Sequence, residues 1–271
     1  MEEKYKKLLA ALRNTNGLAV AFSGGVDSSF LLYAAREALG DRCAALTLRS
    51  VFVPPRELTE AEAFCQKLGV RQEFLDADVL RVPGVAENPP ERCYLCKKSL
   101  FTLLCQRAGA LGFSALAEGS NTDDIGDYRP GLRAVRELGV LSPLLEAGLS
   151  KAEIRELSRR FGLPTADKPA FACLASRFPY GDRLTAEGLR RVDRAEQLLL
   201  ENGFHQFRVR SHGDLARIEL LPEEMKLLTD EALRKTLDKE LKKLGFLYVT
   251  LDLGGYRAGS LNAALKHTTE K

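Results

Sequence analysis

Short apolar runs alternate with longer segments of helical periodicity from the start of the chain to Leu163. A short apolar run of this kind predicts a strand that is buried on both faces, and the longer segments predict helices between the strands. Strands that alternate with helices form parallel sheets, so the pattern predicts an α/β fold in which helices cover both faces of a doubly wound parallel sheet. The apolar runs lie at 17–22, 43–48, 72–75, 114–118 and 139–142.

The composition changes after Leu163. Three prolines and a closing glycine make the segment from Pro164 to Gly181 a poor helix and a poor central strand, so we expect an ordered connector. Beyond it, Thr185 is placed to cap a helix that ends near Leu200, and the remaining pattern is that of a small α+β domain. Its other predicted elements are strands at 206–211, 215–220 and 246–251 and a helix near 229–244.

A glycine turn with the sequence Ser-Gly-Gly-Val-Asp-Ser follows the first predicted strand and precedes a predicted helix. Gly24 and Gly25 allow the backbone to approach an anion closely, and the helix presents unpaired N–H groups and the positive end of its dipole. Ser23 and Ser28 add hydroxyl donors. In a Walker loop a lysine follows the glycines, but none does here. Asp27 is suited to be a Mg²⁺ ligand instead. The turn therefore predicts a phosphate-binding site, and an ordinary turn of a βα unit is the alternative.

A second polar segment, from Glu118 to Asp124, follows the fourth predicted strand and so falls at the same edge of the sheet as the glycine turn. Its carboxylates suit Mg²⁺ or the hydroxyls of a ribose, and its small residues let a nucleotide approach closely. Gly119, Asn121 and Asp124 are the nucleotide-binding candidates. A solvent-exposed turn is the alternative, because Asn, Asp and Gly are the usual residues of turns.

The spacing of Cys93 and Cys96 puts both sulfurs within reach of one metal ion or of each other. A zinc half-site and a dithiol redox motif are two interpretations. In a third, these two thiols and one distant thiol hold three irons of a [4Fe–4S] cluster and leave the fourth iron open. Packing as small apolar residues is the alternative to all three. The remaining cysteines are expected in the core: Cys43, Cys65 and Cys105.

Cys173 lies in the connector, where no regular element needs it for packing and where loops tend to carry function. Arg177 and Lys168 nearby favour the thiolate, which is the reactive form of cysteine. A thiol beside an adenylylated carboxylate attacks it and displaces AMP. We therefore expect Cys173 to be a nucleophile, with a packing role as the alternative.

Arg208 and Arg210 lie two residues apart on a predicted strand, so their side chains share one face. Together they are suited to hold a phosphate or a carboxylate by bidentate bonds, whereas solvent-exposed strand charges are the alternative. Glu196 and Glu219 are candidates to orient these arginines or to act as acid or base.

The overall composition narrows the class of protein. The 40 basic and 37 acidic residues leave a net charge of +3, which does not indicate a nucleic-acid partner. No apolar run approaches the length of a membrane span, and the charged start of the chain does not resemble a signal peptide. Six cysteines without a secretion signal argue for a reducing compartment, so a cytoplasmic location is expected. The length of 271 residues predicts two domains with a connector, bounded at 1–165, 166–182 and 183–271.

Taken together, these segments resemble the LarE-type family of ATP-dependent sulfur transferases, within the ATP pyrophosphatase superfamily. The connector around Cys173 and the strand with Arg208 and Arg210 are the specific parts of the resemblance. The glycine turn alone is also similar to those of NAD synthetase, GMP synthetase, asparagine synthetase and tRNA thiolases. The matching segments span nearly the whole chain and lie at 23–29, 92–97, 118–124, 151–155, 168–177 and 208–213.

The resemblance implies an adenine nucleotide alpha hydrolase-like fold and a role in making the nickel-pincer nucleotide. Such a protein uses ATP and Mg²⁺ to adenylylate a carboxylate of pyridinium-3,5-biscarboxylic acid mononucleotide and converts it to a thiocarboxylate. In a sacrificial version, the cysteine at the place of Cys173 forms a thioester, loses its sulfur by elimination and becomes dehydroalanine. In the other version a [4Fe–4S] cluster carries the sulfide, and the presence of Cys93, Cys96 and Cys173 together favours it.

The resemblance also implies roles for individual residues and an assembly. Arg208 and Arg210 match the residues that hold the phosphate of the substrate, with Arg177 as a further substrate-binding candidate, and Glu196 matches an acidic residue near the thiol. A homo-oligomer, either a trimer or a hexamer, is implied as well. The residues that match those around pyrophosphate and Mg²⁺ are Ser23, Gly24, Gly25, Asp27 and Ser28.

A tRNA thiolase and a non-catalytic nucleotide-binding regulator are the alternative functions. The balanced charge and the absence of an added RNA-binding domain count against the first. The presence of Asp27 and Cys173 counts against the second. We therefore expect a small-molecule substrate, with neither nucleic acid nor a membrane as a partner.

Overall fold

The computed structural model describes residues 1–125, 130–169, 173–257 and 259–260, and the chain forms two compact units. The first unit comprises Met1–Val85 and Pro90–Phe171, and the second comprises Ala86–Pro89 and Ala172–Lys271. The chain passes from the first unit to the second inside the segment 166–182, which the sequence predicts to be a connector. Residues 170–172 of that predicted connector and 261–271 of the predicted C-terminal domain lie outside the described residues.

The sheet of the first unit is parallel. Its strands are β1 (Leu18–Ala21), β2 (Cys43–Arg49), β3 (Arg71–Asp76) and β4 (Ala115–Ala117), in the order β3-β2-β1-β4. Side chains alternate between the two faces of a strand. On β1, Leu18 and Val20 belong to one hydrophobic core and Ala19 belongs to another. Apolar cores on both faces of a parallel sheet confirm the predicted doubly wound α/β fold.

Helices occupy the segments between the strands, as the periodicity predicts, and further helices precede the first strand and follow the fourth. In the described part of the first unit they are α1 (Glu2–Arg13), α2 (Val26–Leu39), α3 (Pro55–Leu68), α4 (Arg92–Ala110), α5 (Pro130–Glu137), α6 (Pro143–Glu146) and α7 (Lys151–Arg160). None of the helices in the described residues is both long enough and apolar enough to cross a membrane.

The fifth apolar run, at 139–142, does not form a strand. Leu141 makes an isolated parallel bridge to Ala117, and α6 begins at Pro143. Proline has no N–H to donate to a ladder, and its fixed φ suits the first turn of a helix. The run therefore ends after one bridge, and the prediction of a fifth strand is wrong.

The second unit combines a small sheet with helices. Its elements are α8 (Ala186–Glu201), β5 (Phe207–His212), β6 (Leu215–Leu220), α9 (Pro222–Met225), α10 (Glu231–Lys243) and β7 (Tyr248–Leu251). Strands β5 and β6 pair antiparallel, and β6 and β7 pair parallel. The hydroxyl of Thr185 accepts a hydrogen bond from the Gly188 amide and caps α8, as predicted. The predicted α+β character of this region is confirmed.

Candidate functional site

The glycine turn connects the end of β1 to the first residue of α2. Gly24 has a φ of +72°, which glycine adopts at little cost. The Ser28 hydroxyl donates to the carbonyl oxygen of Gly25 over 3.1 Å and lies 3.1 Å from the Ser23 hydroxyl. These bonds close the turn around the start of α2, where the first amides of the helix have no partner within the helix. The turn and the helix start therefore form a cradle for an anion.

Close packing explains why glycine occupies position 24. A Cβ atom on Gly24 would lie 3.2 Å from the Cβ of Ala61 and 3.5 Å from the carbonyl oxygen of Glu57, both on α3. Side chains other than hydrogen are disfavoured here by the positive φ and by this contact. The turn is therefore seated on α3.

Asp27 lies in the first turn of α2, beside the cradle. Its carboxylate accepts a hydrogen bond from the Lys151 ammonium over 2.5 Å and one from the Asn121 side-chain amide over 3.3 Å. Burial raises the pKa of the Asp27 carboxyl, the Lys151 ammonium opposes this shift, and the neighbouring Asp124 carboxylate adds to it. Two acidic side chains therefore influence each other at the edge of the phosphate cradle.

The donor atoms at this edge fit Mg²⁺. Asp27 and Asp124 offer carboxylate oxygens, which are the ligands that a hard divalent cation prefers, and bound phosphates supply further oxygens. A bound cation would also offset the Asp124 charge, which adds to the effect of burial in raising the pKa of Asp27. Asp27 and Asp124 are therefore the residues that would hold the ion.

The 118–124 segment packs directly against the helix start. A Cβ atom on Gly119 would lie 3.0 Å from the Ser28 amide nitrogen and 3.2 Å from the Asp27 Cβ, so a larger residue would displace α2. Asn121 accepts from the Asp123 amide over 3.0 Å, and Asp124 accepts from the Asn121 amide over 2.9 Å. These reciprocal bonds form a capping box that fixes the Asn121 side chain near Asp27.

Glu118 holds this segment in place from within. Its carboxylate accepts hydrogen bonds from the amide and hydroxyl of Ser120 and from the Ser142 hydroxyl, the last over 2.7 Å. Glu118 is buried, and so are Ser120, Asn121 and Asp124. The segment is therefore not the solvent-exposed turn that was its alternative interpretation.

Two lysines reach the site from distant segments. Lys151, the first residue of α7, binds Asp27, and the Lys168 ammonium lies 3.2 Å from the carbonyl oxygen of Gly24. Sequence reasoning placed Lys151 only in a matching segment and assigned Lys168 to the Cys173 thiolate. The structure places the Lys168 ammonium on Glu57 and Glu60 of α3, over 2.7 and 2.6 Å. The Lys168 ammonium therefore contacts the glycine turn and α3 of the first unit.

Cys93 and Cys96 lie in the first two turns of α4, three residues apart, and both are half-buried. Residues at this spacing share one face of a helix. The Arg92 guanidinium donates to the sulfur of Cys93 over 3.6 Å. Within residues 1–125, 130–169, 173–257 and 259–260, no group of three or more His, Cys, Asp or Glu side chains is arranged to hold a metal ion. The [4Fe–4S] site stays a prediction.

The remaining cysteines of the first unit are structural. Cys43 and Cys65 are buried, and burial raises the pKa of both thiols, that of Cys65 to about 12. Cys105 lies on α4 and is half-buried, and burial raises its pKa as well. These three thiols are held in their neutral, unreactive form, as expected for core positions.

Cys173 belongs to the second unit and is exposed. It precedes a short 3₁₀ turn, and its carbonyl oxygen accepts from the Ser176 amide over 2.9 Å and from the Arg177 guanidinium over 3.2 Å. These bonds fix the backbone that carries the thiol. The Cys173 charge is also among the interactions that raise the pKa of Arg177, after the charge and the hydrogen bond of Glu196.

Arg177 and Glu196 form a buried bidentate ion pair. Both N–H···O distances are 2.8 Å, and the exposed fractions of the two side chains are 1% and 0%. Burial opposes both charges, but the pairing outweighs it, raising the pKa of Arg177 and lowering that of Glu196. Glu196 also accepts from the Val209 amide over 3.1 Å. These contacts fit the orienting role for Glu196 better than an acid or base role.

Arg208 and Arg210 share a face of β5 and are both buried. Arg210 binds Glu219 on β6 through two bonds of 3.0 and 2.9 Å, and it donates to the Ser176 carbonyl oxygen over 2.6 Å. Arg208 donates to the Phe207 carbonyl oxygen over 2.6 Å and lies against the Tyr256 ring. Burial, with the Arg177 charge nearby, lowers the pKa of Arg208 to about 10.

The second unit therefore collects more positive than negative charge near the Cys173 turn. Three buried arginines face two buried glutamates, Glu196 and Glu219. A bound anion would offset both the burial of the Arg208 charge and its repulsion by Arg177, which together lower the pKa of Arg208. The arrangement has the chemistry of an anion site beside a thiol.

A doubly wound sheet with a serine-glycine turn, an aspartate in the following helix turn and no Walker lysine defines a nucleotide-binding protein of the ATP pyrophosphatase class. The model of the NAD synthase family matches residues 4–82. The pyridinium-3,5-bisthiocarboxylic acid mononucleotide synthase of Lactiplantibacillus plantarum is 37% identical over 97% of this chain and 95% of its own length. The chain belongs to this synthase family, which confirms the resemblance and the prediction of an ATP-dependent sulfurtransferase.

Two other relatives differ in how much of this chain they match. An uncharacterized protein of Synechocystis sp. is 43% identical over 98% of this chain and 99% of its own length. The NH(3)-dependent NAD(+) synthetase of Methanocaldococcus jannaschii is 31% identical over 34% of this chain and 39% of its own length. Similarity over the whole length is thus found with the synthase and the Synechocystis protein, and similarity over part of the length with the NAD(+) synthetase.

Proposed function

We propose that the protein adenylylates a carboxylate of pyridinium-3,5-biscarboxylic acid mononucleotide and replaces the adenylate by sulfur, giving a thiocarboxylate for the nickel-pincer nucleotide. The observation that carries this proposal is the meeting of the glycine turn, Asp27 and the 118–124 segment at one edge of the sheet. This is where ATP would present its phosphates to an incoming carboxylate.

The first step activates an inert acid. A carboxylate oxygen of the substrate attacks the α-phosphorus of ATP, the bond to the bridging oxygen breaks, and pyrophosphate leaves with the electron pair. The amides at the start of α2, together with Ser23 and Ser28, are placed to bind the departing charge. Lys151 adds a cation next to Asp27. When bound by Asp27 and Asp124, Mg²⁺ supplies further charge neutralisation of the phosphates.

The second step transfers sulfur. The Cys173 thiolate attacks the acyl carbon, and AMP leaves with the electron pair of its bond to that carbon. A base then removes the proton on Cα of Cys173, the Cβ–S bond breaks, and the sulfur stays on the substrate as thiocarboxylate while the residue becomes dehydroalanine. The exposed thiol and the nearby Arg177 charge support this role.

Arg208 and Arg210 are proposed to bind the phosphate of the mononucleotide. They share a face of β5, and with Arg177 they place three buried arginines near the Cys173 turn, beside the buried Glu196 and Glu219. Glu196 keeps Arg177 charged and oriented through its bidentate pair. Removing the carboxylate would leave the buried Arg177 guanidinium without a counter-charge from Glu196, which is strongly unfavourable.

Three finer parts of the proposal rest on the cysteines of the sequence and on the resemblance. Sulfide delivery by a [4Fe–4S] cluster on Cys93, Cys96 and Cys173 is the second candidate source of sulfur. A trimer or hexamer is the proposed assembly. A cytoplasmic location is proposed because the six thiols suit a reducing compartment.

A single-turnover experiment tests the proposal and its sulfur source. The protein is purified without oxygen, assayed for iron, and incubated with ATP, Mg²⁺ and the dicarboxylated pyridinium mononucleotide. We expect thiocarboxylate in an amount no greater than one per Cys173, and a protein mass lower by one H₂S. Repeated turnover by an iron-containing protein of unchanged mass would contradict the sacrificial step and favour the cluster. Absence of thiocarboxylate, both with iron-free and with iron-containing protein, would contradict the proposed function.

A further inference from the structure

We propose that Lys168 is a positioning residue that sets the direction of a phosphate-binding amide in the glycine turn. This inference rests on the proposed function only in that the turn binds the pyrophosphate part of ATP. The sequence alone predicted a different role for Lys168, namely to favour the thiolate form of Cys173.

The Lys168 ammonium lies among three oxygen acceptors of the first unit. It is 3.2 Å from the Gly24 carbonyl oxygen, 2.7 Å from a carboxylate oxygen of Glu57 and 2.6 Å from one of Glu60. The exposed fractions of the Lys168 and Glu57 side chains are 11% and 9%. An ammonium has three hydrogens to donate, so these three acceptors use its full capacity.

The bond to Gly24 has a consequence for the next residue. The carbonyl of Gly24 and the amide of Gly25 belong to one planar trans peptide, in which C=O and N–H point in opposite directions. Holding the carbonyl toward Lys168 therefore holds the Gly25 N–H on the opposite side, where the turn closes. In the structure this amide lies 3.5 Å from the Ser23 hydroxyl, which is a weak bond that a phosphate oxygen can replace.

Lys168 makes this contact from a fixed backbone. The Arg155 guanidinium donates to the carbonyl oxygens of Ala166 and Lys168 over 2.5 and 2.8 Å. On the other side, Gly24 is seated against Ala61 and the backbone of Glu57 on α3. Glycine is otherwise the most flexible residue of the chain, so a turn with two adjacent glycines needs an external contact to keep one orientation.

The expected effect is therefore specific to phosphate. Without the ammonium, the 24–25 peptide is free to rotate, and one donor of the cradle no longer points at the anion. Loss of one hydrogen bond to a charged group weakens binding by about tenfold or more. Adenosine, which has no phosphate, does not use this donor.

The test compares Lys168→Met with Lys168→Arg and with Lys67→Met as the matched control. Lys67 is an exposed lysine on α3 that lines the same 540 Å³ cavity as Lys168.

Binding of inorganic pyrophosphate with Mg²⁺ and of adenosine is measured by calorimetry on the full chain. For K168M we expect pyrophosphate affinity about tenfold or more below wild type, unchanged adenosine affinity and a fall in kcat for adenylylation of about 10- to 100-fold. K168R restores most of the affinity, and K67M matches wild type.

A second variant guards against misfolding. Lys168→Met leaves a buried carboxylate unpaired, so Lys168→Met combined with Glu57→Gln removes that charge and still lacks the donor to Gly24. Wild-type pyrophosphate affinity in this folded double variant would overturn the inference, and so would an equal loss of adenosine affinity. Failure of the wild-type protein to bind pyrophosphate would overturn the proposed function together with it.

Discussion

Replacement of Cys173 by alanine is expected to abolish thiocarboxylate formation while substrate-dependent release of pyrophosphate from ATP continues. Cys173 is exposed and belongs to the second unit, whereas the glycine turn and Asp27 belong to the first. The substitution therefore removes the nucleophile and leaves the groups that bind ATP in place. Thiocarboxylate is measured by mass spectrometry of the small-molecule fraction, and pyrophosphate by a coupled assay.

Cys105→Ala is the control for this experiment. Cys105 is a half-buried thiol on α4 whose raised pKa keeps it neutral, so its removal leaves both steps intact. Formation of thiocarboxylate by the Cys173→Ala variant at the wild-type yield would show that Cys173 is neither the donor nor an essential cluster ligand. If this variant lost pyrophosphate release as well as sulfur transfer, the assignment of adenylylation to residues of the first unit and of sulfur transfer to Cys173 would be contradicted.

Asp27→Asn is expected to lower kcat for adenylylation by at least about 100-fold, the scale for losing one group that stabilises charge in a transition state. Asparagine keeps the hydrogen bond to Asn121 but loses the charge that binds Mg²⁺. The substitution leaves Lys151 and the glycine turn in place, so we expect ATP still to bind. The variant should therefore need a higher Mg²⁺ concentration for half-maximal activity, measured as pyrophosphate release across a Mg²⁺ titration.

Asp41→Asn makes the same chemical change outside the site. Asp41 is almost fully exposed and pairs with Arg36 near the end of α2. We expect it to leave kcat and the Mg²⁺ requirement unchanged. If the Asp27→Asn variant showed wild-type activity at the Mg²⁺ concentration that suffices for the wild type, the assignment of Asp27 as a Mg²⁺ ligand would be contradicted.

The sequence was informative where structure depends on neighbouring residues. The glycine turn was predictable because positive φ, a preceding apolar strand and a following helix are all local features. Its contact with the 118–124 segment was predictable as well, because both segments follow strands of one parallel sheet. The strand with Arg208 and Arg210 was visible from its alternation.

Contacts between distant residues were not predictable in the same way. Lys151 is separated from Asp27 by 124 positions, and Lys168 from Gly24 by 144. No local pattern distinguishes these lysines from the many on the surface. The Lys168 interpretation failed because closeness to Cys173 along the chain does not decide which carboxylates a long side chain reaches.

The partners of buried charged residues were also not predictable from the sequence. The sequence suggested that Glu196 orients arginines or acts as acid or base, and did not say which arginine it binds. The structure pairs it with Arg177 across 19 positions, at full burial. A carboxylate so paired is held charged, which explains why an orienting role follows from the contacts and a proton-transfer role does not.

The central claim is that the glycine turn binds the two phosphates that leave. The most direct measurement identifies the nucleotide products after incubation of the protein with ATP, Mg²⁺ and the dicarboxylated pyridinium mononucleotide, for example by ³¹P NMR. We predict AMP and pyrophosphate, formed only when the pyridinium substrate is present. Formation of ADP and orthophosphate would contradict the account.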